Sequence, residues 1–286
     1  MKKLILIHNP GAGVYNKSAL KQLLSNQLSP YFEYTYEVSQ NYTDFINKID
    51  LAILQKPSII AICGGDGSIS SAAKKIINTQ ILLGIIPSGS GNGFANSLGI
   101  TNIKLACIAL IKCKHITVDT LSINEKICIN VSGVGFDAHV SSLFAKETKR
   151  GFFKYLKIVL REFRQKDYKV SIQAEGQKIE KNVLFLSIAN SNQWGNQIKI
   201  NPNANMQDGK FEIIALEQIS FWEIFKFIYY LLTNKAHTYP KVTFISTKNA
   251  IIEVVDAPLH IDGEYMGNIN KLLTVKMFEK KLNVIV

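Results

Sequence analysis

The sequence of 286 residues predicts an α/β domain built on a parallel sheet, followed by a β-rich domain of the sandwich type. Up to about residue 115, short apolar runs alternate with helix-like segments, which is typical of a parallel sheet covered by helices. After about residue 120, strand candidates follow one another with little intervening helix, which favours antiparallel pairing. We therefore expect two domains, at 1–120 and 121–286.

The elements of the first domain alternate in type along the chain. In order, they are KLILIH, a helix from Lys17 to Leu28, EYTYEV, a helix from Tyr42 to Leu54, SIIAIC, a helix from Ser68 to Ile77, LLGIIP and a helix from Ile103 to Lys112. Ligands of open parallel sheets bind beyond the carboxyl ends of the strands. The glycine-rich turns HNPGAG, CGGDG and PSGSGNG are therefore expected at the ligand-binding edge.

The second domain contains eight strand candidates and two helices. The strands are KICINVSG, YKVSIQA, NVLFLSIAN, KFEIIAL, KVTFIS, AIIEVV, LLTVKMF and LNVIV, and the helices lie near Phe152 to Gln165 and Phe221 to Ala236. The second helix is apolar nearly all round, which predicts that it is buried in the core or lines a slot for an acyl chain.

Composition restricts the classes of partner and location. A net charge of +11 favours negatively charged partners, yet an RNA-recognition signature and a helix-turn-helix pattern are both missing, so nucleic acid is not expected as a partner. The four cysteines lack the spacing of a zinc site or a disulfide framework, which predicts reduced core residues in a cytoplasmic protein. The longest apolar stretches fall short of the roughly 20 residues of a membrane span.

The glycine-rich turns predict a phosphate-binding edge. The GxxxxGK[ST] motif of P-loop enzymes is not present, and Gly11 to Asn16 lacks the third glycine of a dinucleotide fingerprint. Backbone amides of Gly64 to Ser68 and of Gly89 to Gly93 could point at phosphate oxygens. Asp66 would repel a phosphate unless Mg²⁺ bridges the two; alternatively, it caps a helix that begins at Ser68.

Five motifs in order along nearly the whole chain carry a family resemblance: NPGAG, GGDGSI, GIIPSGSGNGFANSLGI, GVGFDA and IDGEYMG. Together they resemble the diacylglycerol kinase and sphingosine kinase catalytic family, in particular its soluble bacterial lipid kinases. The resemblance implies a two-domain relative of 6-phosphofructokinase and NAD kinase, with ATP in the cleft between the domains. It also implies transfer of the γ-phosphate of ATP to a lipid alcohol such as diacylglycerol or a sphingosine-like base.

The resemblance implies a set of nucleotide-contacting residues. They are Asn9, Gly11, Gly13, Ser39, Gly64, Gly65, Asp66, Gly67, Ser68, Ser90 and Asn92. Ser68 and Ser90 replace the threonines of the family pattern, and both keep the hydroxyl group.

The segment NPNANMQDGKFEI is similar to the part of the family that holds a structural magnesium ion. By that resemblance Asp208 is the key carboxylate, and the backbone carbonyl of Lys210 is a further ligand. Asn205 stands where many members have an acid, so weaker binding of Mg²⁺ is expected here.

The resemblance also implies the residues that carry the chemistry. The motif DGE faces the γ-phosphate in related kinases, so Glu264 is expected to accept the hydroxyl proton, with Asp262 assisting orientation or metal binding. An extended backbone would point both carboxylates to one side of a strand, whereas Asp-Gly is also a hairpin signal. Asp137 is expected to organise the domain junction, and Asp119 to join a water network with Asp66. The histidines His8, His139 and His260 receive no catalytic role.

A basic amphipathic helix predicts approach to an anionic membrane surface as a peripheral protein. Residues 146–169 carry nine basic and three acidic side chains, and Arg150, Lys154, Lys157, Arg161 and Arg164 fall within an arc of about 80° on a helix. An ordinary surface helix explains the same pattern.

Alternative functions are an NAD kinase-like enzyme and a catalytically silent nucleotide- or lipid-binding protein. An unpaired sheet edge could support a homodimer.

Overall fold

The structure is a computed structural model that describes residues 1–12, 17–145, 147, 152–163, 166–195 and 198–286. It divides into two compact units. The first unit comprises Met1–Val118 together with Lys280–Val286, and the second comprises Asp119–Glu279. The last seven residues, which the sequence assigned to the second domain, therefore belong to the first unit.

The described part of the chain forms strands and helices with the following bounds. The strands are β1 (Lys2–His8), β2 (Phe32–Val38), β3 (Ile59–Gly64), β4 (Leu82–Pro87), β5 (His115–Ile123), β6 (Lys126–Cys128), β7 (Val131–Gly135), β8 (Tyr168–Ala174), β9 (Gln177–Ala189), β10 (Gln193–Gly195), β11 (Ile198–Lys199), β12 (Phe211–Glu217), β13 (Val242–Thr247), β14 (Asn249–Ile261) and β15 (Glu264–Ile285). The helices are α1 (Lys17–Leu28), α2 (Tyr42–Leu54), α3 (Asp66–Ile76), α4 (Gly93–Ser97), α5 (Ile103–Lys112), α6 (Phe136–Ala145), α7 (Phe152–Glu162) and α8 (Phe221–Leu232).

The first unit is built on a parallel sheet. Its strand order is the end of β15, then β4, β3, β1 and β2, and each of these pairs is parallel. Residues 4–7 of β1 and 59–63 of β3 are fully buried. Such continuous apolar strands, covered on both faces, are typical of parallel sheets between helices. Because the strands run the same way, the turns after β1, β2, β3 and β4 meet at one edge.

The second unit is an antiparallel β structure with helices α6, α7 and α8. The strands follow the order β13, β12, β9, β7, β14 and β15, and β8 pairs with both β14 and β9. One apolar cluster fills the inside of these strands, and a second lies beneath α8, where Ile224 and Phe227 pack with Phe185 and Tyr239. The α/β class followed by a β-rich domain, predicted from the sequence, is confirmed.

Several elements differ from the predictions. The candidate KICINVSG forms two strands, β6 and β7, and the sequence did not predict β5, β10, β11, α4 or α6. The candidates LLTVKMF and LNVIV are parts of one strand, β15. Helix α3 begins at Asp66 instead of Ser68, with Gly65 as its N-cap. Helix α8, expected in the core, buries only one side: Ile224 and Phe227 are buried, whereas Trp222 is 78% exposed. A capping box between Ser220 and Glu223 fixes the start of α8.

In the described residues, each helix is either too short or too polar to reach across a lipid bilayer.

Candidate active site

The first unit gathers its predicted site residues where the parallel strands end. Asn9 follows β1, and its backbone amide donates to the carbonyl of Cys63 on β3 at 2.9 Å. The side-chain amide of Asn9 donates to the Ser68 hydroxyl at 3.0 Å. Ser39, which follows β2, donates through its backbone amide and its hydroxyl to the carbonyl of His8. These bonds tie the turns after β1 and β2 to the start of α3.

The two glycine-rich turns after β3 and β4 are in direct contact. A Cβ atom built on Gly89 would lie 2.5 Å from the Cα atom of Gly65, closer than real Cβ contacts allow. A Cβ atom on Gly64 would lie 2.7 Å from the Cβ of Ser68. Glycine is therefore needed at these positions because the backbones approach closely. The sequence showed two separate turns, and the structure combines them into one surface.

Asp66 links these turns through its carboxylate. Its Oδ2 accepts from the amide of Gly93 at 3.0 Å, and its Oδ1 accepts from the amide of Phe94 at 3.0 Å. Both amides begin the short helix α4, where a negative charge is favourable. Asp66 does not cap its own helix, since Gly65 holds that position. The Asp66 carboxylate, which by itself would repel a phosphate, is thus bound by backbone amides that follow the glycine-rich turn after β4.

This arrangement corrects part of the expectation for Gly89 to Gly93. The amide of Gly89 donates to Oδ1 of Asn92 at 2.9 Å, and the Asn92 side-chain amide returns a bond to the carbonyl of Gly89 at 2.7 Å. The amide of Gly93 is bonded to Asp66. Two amides predicted to face phosphate oxygens thus have side-chain partners. Asn92 has a left-handed backbone conformation, with φ 50°, and its two bonds to Gly89 fix the shape of the turn.

The other predicted nucleotide-contacting residues differ in exposure. Gly11, Gly67 and Ser90 are exposed, whereas Ser39 is buried. Gly13 lies outside the described residues. His8, next to Asn9, is buried, and its Nδ1 is 2.8 Å from the Tyr36 hydroxyl. Burial, followed by the nearby charge of Lys17, lowers the pKa of His8 below its usual value of 6.5.

In the second unit, the motif IDGE forms a two-residue hairpin. Ile261 ends β14 and pairs with Glu264, the first residue of β15. Asp262 and Gly263 between them have φ values of 51° and 81°, as in the tight turns that favour Asp-Gly. The interpretation of an extended segment, with both carboxylates on one side of a strand, is therefore wrong. The hairpin signal was the correct reading of the local backbone.

The two carboxylates of this hairpin have different surroundings. Asp262 is 8% exposed, and its carboxylate accepts from the amides of Ile129 and Asn130, at 3.2 and 2.9 Å to Oδ1, and from the thiol of Cys128. Burial, and then the charge of Asp262, raise the pKa of Cys128, so this thiol stays protonated and can donate. Glu264 is exposed. Asp262 thus holds the segment between β6 and β7, and Glu264 is the accessible carboxylate.

A buried pair that the sequence did not suggest supports this hairpin. Nε2 of His260 lies 3.0 Å from Oδ2 of Asp137, and the amide of Gly263 donates to Nδ1 of His260 at 3.2 Å. Because Nδ1 accepts a bond, the ring proton is on Nε2 and is donated to Asp137. The space for this pair exists because residue 133 is glycine: a Cβ atom there would lie 2.3 Å from Asp137 Oδ2. The sequence signal for this pair was Gly133, the first residue of the motif GVGFDA.

The predicted metal segment is a turn-rich loop before β12. Oδ1 of Asn205 accepts from the amide of Gln207 at 3.1 Å, and Oδ1 of Asp208 accepts from the amide of Lys210 at 2.9 Å. Asp119, buried at 1% exposure, accepts from the amide of Gly209 at 2.7 Å. Asp119 thus holds this loop in place.

The potential metal ligands of this loop are of the chemical type that magnesium prefers. The side chains of Asn205 and Asp208 and the carbonyl of Lys210 offer only oxygen atoms, the ligand type that Mg²⁺ prefers. All three residues are exposed. In the described ranges, no cluster of three or more His, Cys, Asp or Glu side chains could hold a metal ion. Magnesium would therefore depend on one carboxylate together with neutral oxygen atoms.

The fold is defined by a parallel α/β unit with glycine turns at its carboxyl edge and by an antiparallel β unit. Residues 3–123 match the family model of the diacylglycerol kinase catalytic domain, and residues 130–286 match the YegS C-terminal NAD kinase beta sandwich-like domain. The chain belongs to the diacylglycerol kinase catalytic family.

Similar proteins agree with this assignment. A diacylglycerol kinase of Staphylococcus carnosus is 24% identical over 276 residues, which cover 94% of this chain and 90% of that protein. The crystal structure of a diacylglycerol kinase from Bacillus anthracis has a TM-score of 0.78 at 19% identity, covering 99% of this chain and 96% of that one. An NAD kinase from Archaeoglobus fulgidus, solved in complex with ATP, has a TM-score of 0.56 at 12% identity, covering 99% and 93%.

Proposed function

We propose that this protein is an ATP-dependent lipid kinase that transfers the γ-phosphate to the hydroxyl of a lipid alcohol such as diacylglycerol or a sphingosine-like base. The observation that carries the proposal is the joined surface of the two glycine turns, in which Gly65 packs on Gly89 and Asp66 binds the amides of Gly93 and Phe94. Family membership supports the reaction class, and the structural relative in complex with ATP supports the nucleotide.

The proposal assigns the nucleotide phosphates to the edge of the first unit. Asn9, Gly67 and Ser90 are at least partly accessible there, whereas Ser39 and Ser68 are buried and shape the surface through their hydrogen bonds. We assign Mg²⁺ ligation to the Asp66 carboxylate, because a carboxylate oxygen can accept a hydrogen bond, as from Gly93 and Phe94, and ligate a cation as well. The ion would neutralise the phosphate charge when bound.

The proposal assigns the proton transfer to the hairpin of the second unit. Glu264 accepts the proton of the lipid hydroxyl, because it is exposed and belongs to the DGE motif. Asp262 positions the hairpin through its bonds to Ile129 and Asn130 and does not itself accept the proton. His260 and Asp137 support the same hairpin from inside the unit. Asn205, Asp208 and the carbonyl of Lys210 would hold a structural Mg²⁺, which would stiffen their loop.

A transfer assay with radiolabelled ATP tests the proposed function. Purified protein is incubated with Mg²⁺ and [γ-³²P]ATP and, in separate reactions, diacylglycerol, a sphingosine-like base or NAD, and the products are separated by thin-layer chromatography. The proposal predicts label in a lipid product. Label in the NAD reaction alone would establish the NAD kinase-like alternative, and ATP binding without transfer to any acceptor would indicate a silent binding protein.

A further inference from the structure

Helix α8 exposes an aromatic surface that the proposed chemistry does not use. Five large apolar side chains of α8 are exposed, and at about 100° per residue they fall within an arc of about 100°. They are Phe221, Trp222, Phe225, Tyr229 and Leu232. We call these five residues the α8 face. Trp222 is 78% exposed, Tyr229 64% and Leu232 55%.

The rest of α8 is firmly anchored, so this exposure is a property of the folded unit. Ile224 and Phe227, on the opposite side, are buried at 3% and 4% exposure. The capping box of Ser220 and Glu223 closes the first turn, and Glu223 forms an ion pair with Lys241 at 2.8 Å. An anchored helix with an uncovered aromatic side is typical of a surface that meets another apolar phase.

One exposed cation adjoins the α8 face, and two more lie on the neighbouring helix α7. Lys226 is exposed on α8 itself, beside Trp222 on the helix surface. The ring of Phe163, one residue after α7, lies 6.0 Å from the ring of Phe221 at the start of α8. Lys157 and Arg161, one helical turn apart on α7, are exposed. An exposed aromatic surface with a cation on its own helix, next to a helix that exposes two more, is complementary to an anionic bilayer, where Trp and Tyr prefer the boundary between headgroups and acyl chains.

We infer that the α8 face inserts into the headgroup region of an anionic membrane leaflet, with the cations of α7 and α8 contacting the lipid phosphates. This inference deepens the proposed function and rests on it, because a lipid kinase must meet its acceptor at a bilayer surface. A second copy of this chain is the competing occupant. A two-fold contact across the α8 face would place the same cations of both copies near one another, at a net charge of +11 each.

The test measures membrane binding without catalysis. Vesicles of phosphatidylcholine and phosphatidylglycerol at 7:3, without acceptor lipid or ATP, are mixed with the protein and sedimented. The variant Trp222→Ser/Phe225→Ser is compared with Leu51→Ser/Leu54→Ser, a control that removes two exposed apolar side chains from α2. We expect binding that weakens with salt, a loss of about tenfold or more for the α8 variant, and no loss for the control.

Fluorescence keeps the test decisive if the double variant folds poorly. The protein has two tryptophans, and Trp194 packs against Phe185 within the second unit. In a Trp194→Phe variant, Trp222 is the single reporter, and brominated lipids should quench it. In Trp222→Phe, the remaining Trp194 should not be quenched.

Three results would overturn the inference: no vesicle binding by the natural protein, equal binding by the α8 variant, or a dimer in light scattering that this variant converts to a monomer. Turnover of a short-chain acceptor in detergent micelles reports on the kinase separately. Failure of the α8 inference with retained micellar turnover would leave the proposed function intact, and binding without turnover would leave the inference intact.

Discussion

Oδ2 of Asp137 and Nε2 of His260 form a buried pair at 3.0 Å, and each side chain is 5% exposed. The pair joins the start of α6 to the hairpin that carries Glu264, because the other ring nitrogen of His260 accepts from the amide of Gly263. The Tyr155 hydroxyl approaches the second oxygen of Asp137 at 3.4 Å, and burial, followed by the charge of Asp137, raises the pKa of Tyr155. A polar network inside the second unit thus supports the hairpin that carries Glu264, the proposed base.

Replacing His260 with Phe should destabilise the protein. The substitution leaves a buried carboxylate at Asp137 and the amide of Gly263 without this partner, so we expect a loss of about 2–4 kcal/mol in the free energy of unfolding. Urea unfolding followed by circular dichroism measures this. The control is His139→Gln, which removes the more exposed pair with Glu162 and should cost less than about 0.5 kcal/mol. Equal costs for the two variants would refute the structural role of the pair.

We expect Asp262 to have a structural role and Glu264 to have a chemical role. Asp262→Ala removes the acceptor for the amides of Ile129 and Asn130 and should lower the free energy of unfolding by about 2–4 kcal/mol. Asp262→Asn keeps one acceptor oxygen and tolerates the left-handed backbone, so it should keep most of this stability. Glu264→Gln, at an exposed site, should change stability by less than about 0.5 kcal/mol. A stable Asp262→Ala variant would contradict this division.

The contact between the glycine turns can be tested by adding a single methyl group. In Gly89→Ala the new Cβ would collide with the backbone of Gly65, so we expect a loss of about 1–3 kcal/mol and weaker binding of ATP. A Cβ atom on Gly67 meets nothing within 4 Å, and Gly67→Ala lies in α3, where the change should be neutral or stabilising by about 0.5 kcal/mol. Differential scanning calorimetry and isothermal titration of ATP measure both effects. If Gly89→Ala matches Gly67→Ala in stability, the two turns do not pack as described.

Stability should depend on pH through His8. Its pKa is lowered in the folded protein, so the unfolded chain binds more protons as the pH falls below 6.5. The stability that neutral His8 contributes is fully present above pH 6.5. It should be lost progressively as the pH falls from 6.5 through the pKa of His8 in the folded protein. Urea unfolding at pH 7.5 and 5.5 should show lower stability at pH 5.5, and a smaller difference in a His8→Gln variant. An unchanged difference in that variant would show that His8 does not cause the dependence.

The first unit could be predicted from the sequence almost element by element. Its strands are short apolar runs, and polar residues that favour N-caps, such as Asn41 and Asn102, mark the starts of α2 and α5. The contact of Gly65 with Gly89 could not be predicted, because it depends on how two separate turns meet. The side-chain bonds of Asp66 to the amides of α4 were hidden for the same reason.

The second unit was harder to predict because its polar groups are buried in pairs. Asp119 is nearly fully buried, and its role became visible only through the bond from Gly209, 90 residues further along the chain. His260 was set aside for want of a nearby partner in sequence, yet Asp137 provides one across 123 residues. The composition of α8 indicated burial, but it did not reveal that the strands beneath cover only one of its sides.

The most direct test of the central claim compares the natural protein with Glu264→Gln in single-turnover transfer from [γ-³²P]ATP to the lipid acceptor. We predict that the variant binds ATP with unchanged affinity and transfers phosphate at least about 100-fold more slowly, because the acceptor hydroxyl keeps its proton. Transfer by the variant at the rate of the natural protein would contradict the assignment of Glu264 as the base.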